Sequence, residues 1–161
     1  MLVRDVMTPV VACCHLHASL RDAAQLMREH GCGCLPVSRN ASDPHDLVGL
    51  VTDRDVVCRA VADALDPLVT TVSSVMSSPV ATIAADVHVA HCIDLMAEKK
   101  IRRLVVVDRQ GRCCGIVSTG DIARAVPGGD AGALLQEICE PAMPAPKPAL
   151  KSFTAQGNRG W

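Results

Sequence analysis

The chain repeats itself, and that repeat constrains the fold more than any other feature. Val6-Met7 returns as Val75-Met76, an offset of 69 residues. The same offset carries Leu20, Ala23, Leu26 and Met27 onto Val89, Cys92, Leu95 and Met96, and Leu35 and Val37 onto Leu104 and Val106. It then shortens to 66, taking Gly49 to Gly115, Thr52 to Ser118 and Asp55 to Asp121. The first copy is thus three residues longer, around residues 40–46, an insertion expected in a surface loop. One supersecondary unit is used twice. A unit of about 60 residues buries too little of its surface to be stable alone, so the copies need each other.

Each copy gives the same order of elements. A short apolar stretch (10–14 and 80–83) predicts a strand. Leu20, Ala23, Ala24 and Met27, and again Val89, Cys92, Ile93 and Met96, fall at helical spacing. Ser19 followed by Asp22 has the form of a capping box. Two strands follow, over 35–37 and 47–51 in the first copy and 103–107 and 113–118 in the second, the latter pair joined by a turn at 108–112. A second helix closes each copy, over 53–65 and 121–126. The expected fold class is α+β, two β-α-β-β-α repeats whose small sheets bury their apolar faces against one another. The expected organisation is repeat one at 1–66, a linker at 67–74, repeat two at 75–127, and a short helix with a disordered Pro-rich tail at 128–161.

Composition narrows the function. Hydrophobic residues make up 49% of the chain, enough for a packed core. There is one Phe, one Trp and no Tyr, so no row of rings exists on which single-stranded bases could stack. The formal net charge of −1 provides no global positive field for a phosphate backbone, so nucleic acid is not an expected partner. No apolar run reaches the length of a membrane span, and the first residues show no signal-peptide pattern. The expected location is the cytoplasm. The nine cysteines are then reduced, and the spacings Cys13-Cys14, Cys32-Gly33-Cys34 and Cys113-Cys114 are not those of zinc ribbons. They read as small core residues, and no metal is assigned. None of the six histidines sits in a recognisable catalytic motif, so no enzyme activity and no catalytic residue are assigned.

The chemically informative segments are Gly49-Leu50-Val51-Thr52-Asp53-Arg54-Asp55 and Gly115-Ile116-Val117-Ser118-Thr119-Gly120-Asp121. Each runs a strand into a helix and carries a hydroxyl three residues before an Asp. The hydroxyl of Thr52 or Ser118 can donate to a phosphate oxygen. The carboxylate of Asp55 or Asp121 can accept from two adjacent ribose hydroxyls. A single copy would be read as a helix cap. Recurrence at equivalent places favours a binding role.

Together these landmarks resemble the CBS-domain family, named after cystathionine β-synthase. The resemblance rests on Asp5-Val6-Met7-Thr8-Pro9, Leu35-Pro36-Val37, the segment from Gly49 to Asp55, Val75-Met76, the run from Ile101 to Asp108, and the segment from Gly115 to Asp121. It covers residues 3–126. It implies a pseudo-twofold pair with two clefts between the repeats, which in many members bind AMP, ADP, ATP or S-adenosylmethionine as a regulatory ligand. It also implies a homodimer and an output passed to an effector protein. The family pattern puts ribose on Asp55 and Asp121, phosphate near Thr52 and Ser118, and adenine near Val11-Ala12 and Val80-Ala81.

The copies differ. Arg54 has Gly120 as its counterpart, and either adds a phosphate contact or is a solvated charge. Lys99, Lys100, Arg102 and Arg103 stand where the first copy has His30, Gly31, Gly33 and Cys34, and Arg103 could reach a phosphate. The two clefts should therefore be unequal. The expected function is an adenine-nucleotide sensor that needs no cofactor. The alternatives are an interaction module with empty clefts, or a thiol- or metal-responsive sensor in which Cys13 and Cys14 gate the adenine position.

Overall fold

The computed structural model describes residues 1–9, 12–40 and 43–125. The predicted short helix and tail at 128–161, and Val11, lie outside the described residues.

The first repeat contains β1 (Thr8–Pro9), β2 (Cys14–His15), α1 (Leu20–Glu29), β3 (Cys34–Asn40), β4 (Asp43–Thr52) and α2 (Asp53–Val56), the last continuing as a wider π-wound turn over Val57–Val61. The second contains β5 (Thr82–Ala84), α3 (Val89–Lys99), β6 (Arg103–Val107), β7 (Cys113–Ser118) and α4 (Thr119–Ala125). In each, the first strand pairs in parallel with the strand beyond the helix, Cys14 opposite Val37 and Ile83 opposite Val106. The hairpin strands pair antiparallel, Leu35 opposite Val51 and Leu104 opposite Val117. The α+β pair expected from the repeat is the observed architecture.

The first helix of each repeat forms where its sequence specifies. The Ser19 hydroxyl accepts from the Asp22 N–H at 3.1 Å and caps α1, whose Leu20, Ala23 and Met27 face the core. Each repeat has its own apolar core. One gathers Leu20, Leu35, Val37 and Val51, the other Met96, Leu104, Val106, Val117 and Ile122.

Sequence reading did not anticipate that the repeats exchange their leading segments. Val3, in a short 3-10 turn (Val3–Asp5), is fully buried in the core of the second repeat. Val72 and Val75 are buried in the core of the first. The exchange is reciprocal in its backbone hydrogen bonds: Val3 N–H to the Val87 carbonyl and Val72 N–H to the Ala18 carbonyl, both 2.9 Å. It is also reciprocal in the sheets. Thr8 pairs with Ile116 on the edge of β7, and Leu50 bridges to Ser77. Fully burying a valine contributes on the order of 1.5–3 kcal/mol, so neither core is complete without the other repeat's first turn.

Three expectations on local structure change. Of the apolar stretch at 10–14, Ala12 and Cys13 lie outside any strand and only Cys14 is in one, with β1 before the stretch paired to β7 in repeat two and β2 paired to β3 in repeat one. The described residues of the segment 40–46 lie in β3 and β4 and lengthen that hairpin, with Asn40 opposite Asp43. The helix expected over 53–65 winds only to Val61. Ala64 adopts a left-handed conformation (φ 54°), and the Leu65 N–H returns to the Ala60 carbonyl at 3.0 Å, the hydrogen bond of a helix stop.

Candidate functional site

The recurrent hydroxyl and carboxylate form the same closed unit twice. Thr52 ends β4 and caps α2. Its hydroxyl accepts from the Asp55 N–H (3.1 Å) and donates to Asp55 Oδ2 (2.7 Å), which also accepts the Thr52 N–H (2.9 Å). Ser118 ends β7 and is bonded in the same way. Its hydroxyl accepts from the Asp121 N–H (3.2 Å) and donates to Asp121 Oδ2 (2.6 Å), which accepts the Ser118 N–H at 2.8 Å. The capping role and the presentation of a carboxylate are therefore one arrangement. Two hydrogen bonds hold the carboxylate through Oδ2, a third from the Asp N–H to the hydroxyl closes the unit, and the second oxygen, Oδ1, is left to face an arginine.

Those arginines were not picked out in the sequence. Arg59 Nη1 stands 3.4 Å from Asp55 Oδ1 and also donates to the Val75 carbonyl at 2.6 Å, which ties the carboxylate to the exchanged segment. Arg124 pairs with Asp121 Oδ1. Arg59 lies four residues beyond its Asp and Arg124 three, so the repeat offset does not align them.

Two clefts run between the repeats. The first, a cavity of about 930 Å³, is lined by Thr52, Arg54 and Asp55 from repeat one and by Val80, Ala81 and Arg103 from repeat two. Lys99, Arg102 and Ser118 complete its polar wall. The second, about 300 Å³, is lined by Ala12, Cys32 and Cys34 from repeat one, and by Arg103, Ser118 and Asp121 from repeat two. Every singled-out site residue in the described chain therefore borders one of the two clefts. Lys99 also lines the first. The charge asymmetry is pronounced: the first cleft has Arg54, Lys99, Arg102 and Arg103, whereas among the described residues Arg103 is the only Lys or Arg lining the second. A third cavity, about 960 Å³, opens at the lengthened hairpin beside His45 and Arg112 and includes only Val80 of the singled-out residues.

Cys14, Cys34, Cys92 and Cys113 are buried. Burial pushes the thiols of Cys92 and Cys113 up to about 11 and that of Cys14 to about 12. Burial also raises Cys34, while the neighbouring Arg103 charge pulls it back. Protonated thiols are poor nucleophiles and poor metal ligands. Among the described residues, no three His, Cys, Asp or Glu side chains gather where they could hold a metal ion. Among the same residues no helix is long and apolar enough to cross a membrane.

A family model described as the CBS domain matches the chain twice, at residues 3–61 and 72–128. The chain belongs to the CBS-domain family. It is 35% identical over 138 residues to Hypoxic response protein 1 of Mycobacterium tuberculosis, an alignment covering 86% of this chain and 94% of that protein. A crystal structure of Hypoxic Response Protein I with two coordinated zinc ions superposes with a TM-score of 0.67 over 79% of this chain and all of that one. The CBS domain pair of protein MJ0100, solved with 5′-methylthioadenosine and S-adenosyl-L-methionine, is 29% identical, with a TM-score of 0.68 over 78% of this chain and 98% of that pair. CBSX2 in complex with AMP is 28% identical, with a TM-score of 0.64 over 77% of this chain and 94% of that one. The reciprocal exchange and the two hydroxyl–carboxylate units are thus features of a tandem CBS pair.

Proposed function

We propose that this CBS pair is a regulatory module that binds an adenine nucleotide between its repeats and acts on another molecule rather than catalysing a reaction. The observation that carries this reading is the duplicated unit, Thr52 with Asp55 and Ser118 with Asp121, each fixed by a hydroxyl–carboxylate hydrogen bond and each at the wall of an inter-repeat cleft. A carboxylate held in this way accepts a ribose diol without having to be ordered first. The structures of MJ0100 with adenosyl compounds and of CBSX2 with AMP give the reading its ligand class.

In the first cleft, adenine packs against Val80 and Ala81, the ribose hydroxyls take Asp55, and the phosphates take Thr52, Arg54 and Arg103. AMP, ADP or ATP suits its cationic wall. In the second, Asp121 takes the ribose and the segment at Val11 and Ala12 the base. Its single arginine suits one phosphate, or an adenosyl compound without any, such as S-adenosylmethionine. The module spans residues 1–127, with 67–74 as the link between the repeats. Val57, Val61 and Leu65 are exposed around the second helix of repeat one, and this apolar surface fits a homodimer contact.

Calorimetry with AMP, ADP, ATP and S-adenosylmethionine, in reductant and with chelator, tests the reading. Saturable binding that Asp55→Ala and Asp121→Ala weaken supports it. Absence of binding by all four would leave the interaction module with empty clefts, and a response confined to oxidised or zinc-loaded protein would favour the thiol or metal sensor.

A further inference from the structure

Arg103 stands at the first residue of β6 and lines both inter-repeat clefts. Its counterpart under the 69-residue offset is Cys34, so one guanidinium occupies a place where a symmetric pair would have two. A carboxylate lies to either side, Asp53 lining the first cleft and Asp121 the second. Both carboxylates and Arg103 act electrostatically on the Cys34 thiol, which puts the four groups in one neighbourhood. Nevertheless, the Arg103 side chain makes no hydrogen bond or ion pair with either carboxylate, or with any other side chain among the described residues. Gly33 keeps the space beside it open: a Cβ there would stand 3.5 Å from Arg103 Nη2 and 2.9 Å from Asp53 Oδ2.

From this geometry we infer that the two clefts share Arg103, so that a phosphate bound in one withdraws the arginine from the other and makes phosphate binding at the two sites negatively coupled. The inference rests on the nucleotide reading above. A guanidinium forms its strong bidentate contact with one phosphate at a time. The first cleft retains Arg54, Lys99 and Arg102 when Arg103 turns away, but the second then has no Lys or Arg among its lining residues. Coupling free energies of this kind correspond to roughly 5- to 150-fold in affinity and act equally in both directions. The second cleft is therefore open to a phosphate when the first is empty, and favours an adenosyl compound without a phosphate when the first is filled by a nucleotide.

The test is calorimetry on the full chain with AMP and, separately, with adenosine. AMP should bind in two steps, the second weaker by about tenfold or more. Adenosine, which makes no demand on Arg103, should show no such gap. In Asp55→Ala, which disables the first cleft, the second should bind AMP at least about fivefold more tightly than it does as the second step in the unaltered chain; adding Arg103→Gln should remove that difference, and Arg103→Lys, which keeps one mobile charge, should retain most of it. Asp55→Ala and Asp121→Ala assign the steps to the clefts. Equal spacing of the steps for AMP and adenosine in the unaltered chain, or a second cleft whose affinity for AMP is the same whether or not the first is disabled, overturns the sharing and leaves the nucleotide reading standing. Failure of both ligands to bind overturns the two together.

Discussion

The Met7 thioether fills the space above Gly115: its Sδ lies 2.5 Å from where a Cβ on that glycine would stand. Met76 lies over Gly49 at the same distance, so each repeat's methionine caps the glycine of the other repeat's last strand. The Val-Met and Gly landmarks of the sequence are the two halves of one contact, formed twice.

That contact predicts the effect of filling either glycine. Gly115→Ala should destabilise by about 1–3 kcal/mol, the usual cost of overpacking a fitted site. Gly49→Ala should cost less, because its nearest backbone neighbour, the Ser77 carbonyl oxygen, is at 3.3 Å, whereas the Thr8 carbonyl oxygen is 3.1 Å from a Gly115 Cβ. Urea midpoints measure both, and Met7→Ala should relieve Gly115→Ala in a double-mutant cycle.

The exchanged valines predict cooperative loss. Val3→Ala and Val72→Ala each remove two fully buried methyl groups, at a cost of about 2 kcal/mol. Because each valine sits in the other repeat's core, the unfolding transition should shift as a whole and stay single. Appearance of two separate transitions in calorimetry would contradict this.

The closed hydroxyl–carboxylate unit predicts that stability and binding fall together. Thr52→Val and Ser118→Ala remove a helix cap worth about 1 kcal/mol and also release the Asp carboxylate from its fixed position. Thermal stability should drop slightly, and the further rise in Tm on adding AMP should shrink by more. A variant that keeps the full AMP-induced shift would separate the cap from the ligand site.

The buried thiols predict an alkaline weakness. Cys14, Cys92 and Cys113 are held at about 12, 11 and 11, above an ordinary thiol value of 9.0. Above about pH 9 the unfolded chain loses these protons while the folded chain retains them, so the unfolded state binds fewer protons and stability falls with rising pH. Their stabilising effect is complete below pH 9 and declines through the interval up to about 11–12. Urea midpoints measured from pH 8 to pH 10.5 should fall, with a shallower slope for Cys92→Ala. Under native conditions iodoacetamide should label exposed Cys58 first.

The apolar surface around the second helix of repeat one predicts an assembly change. Val61→Glu and Leu65→Glu place a charge on exposed positions and should leave folding intact while shifting a homodimer to monomer in sedimentation. An unaltered mass for both variants would place any dimer contact elsewhere.

Sequence periodicity reached the elements whose information is local. Thr52 with Asp55 and Ser118 with Asp121 were legible because hydroxyl and carboxylate are three residues apart and the strand-to-helix junction that joins them lies between. The exchange of leading segments was not legible, because Thr8 meets Ile116 and Val3 meets Val87 across most of the chain. Nothing in a two-residue strand announces its partner. The hairpin near Asn40 was read as a loop because its polar residues mimic one, although they continue the ladder. The dual position of Arg103 escaped for a related reason: an offset gives the counterpart of a residue, not how many cavities its side chain borders.

The exchange also imposes an order on biosynthesis. The first core is closed by Val72 and Val75, which leave the ribosome soon after the strands they cover, so that half can complete itself early. The leading turn at Val3 has the opposite fate. Its carbonyl partners at Ala85 and Val87, and the strand that Thr8 borders at Ile116, are made long after it. The turn at Val3 is therefore made well before the residues it docks on, and this apolar segment stays without its partners until the second repeat is nearly finished.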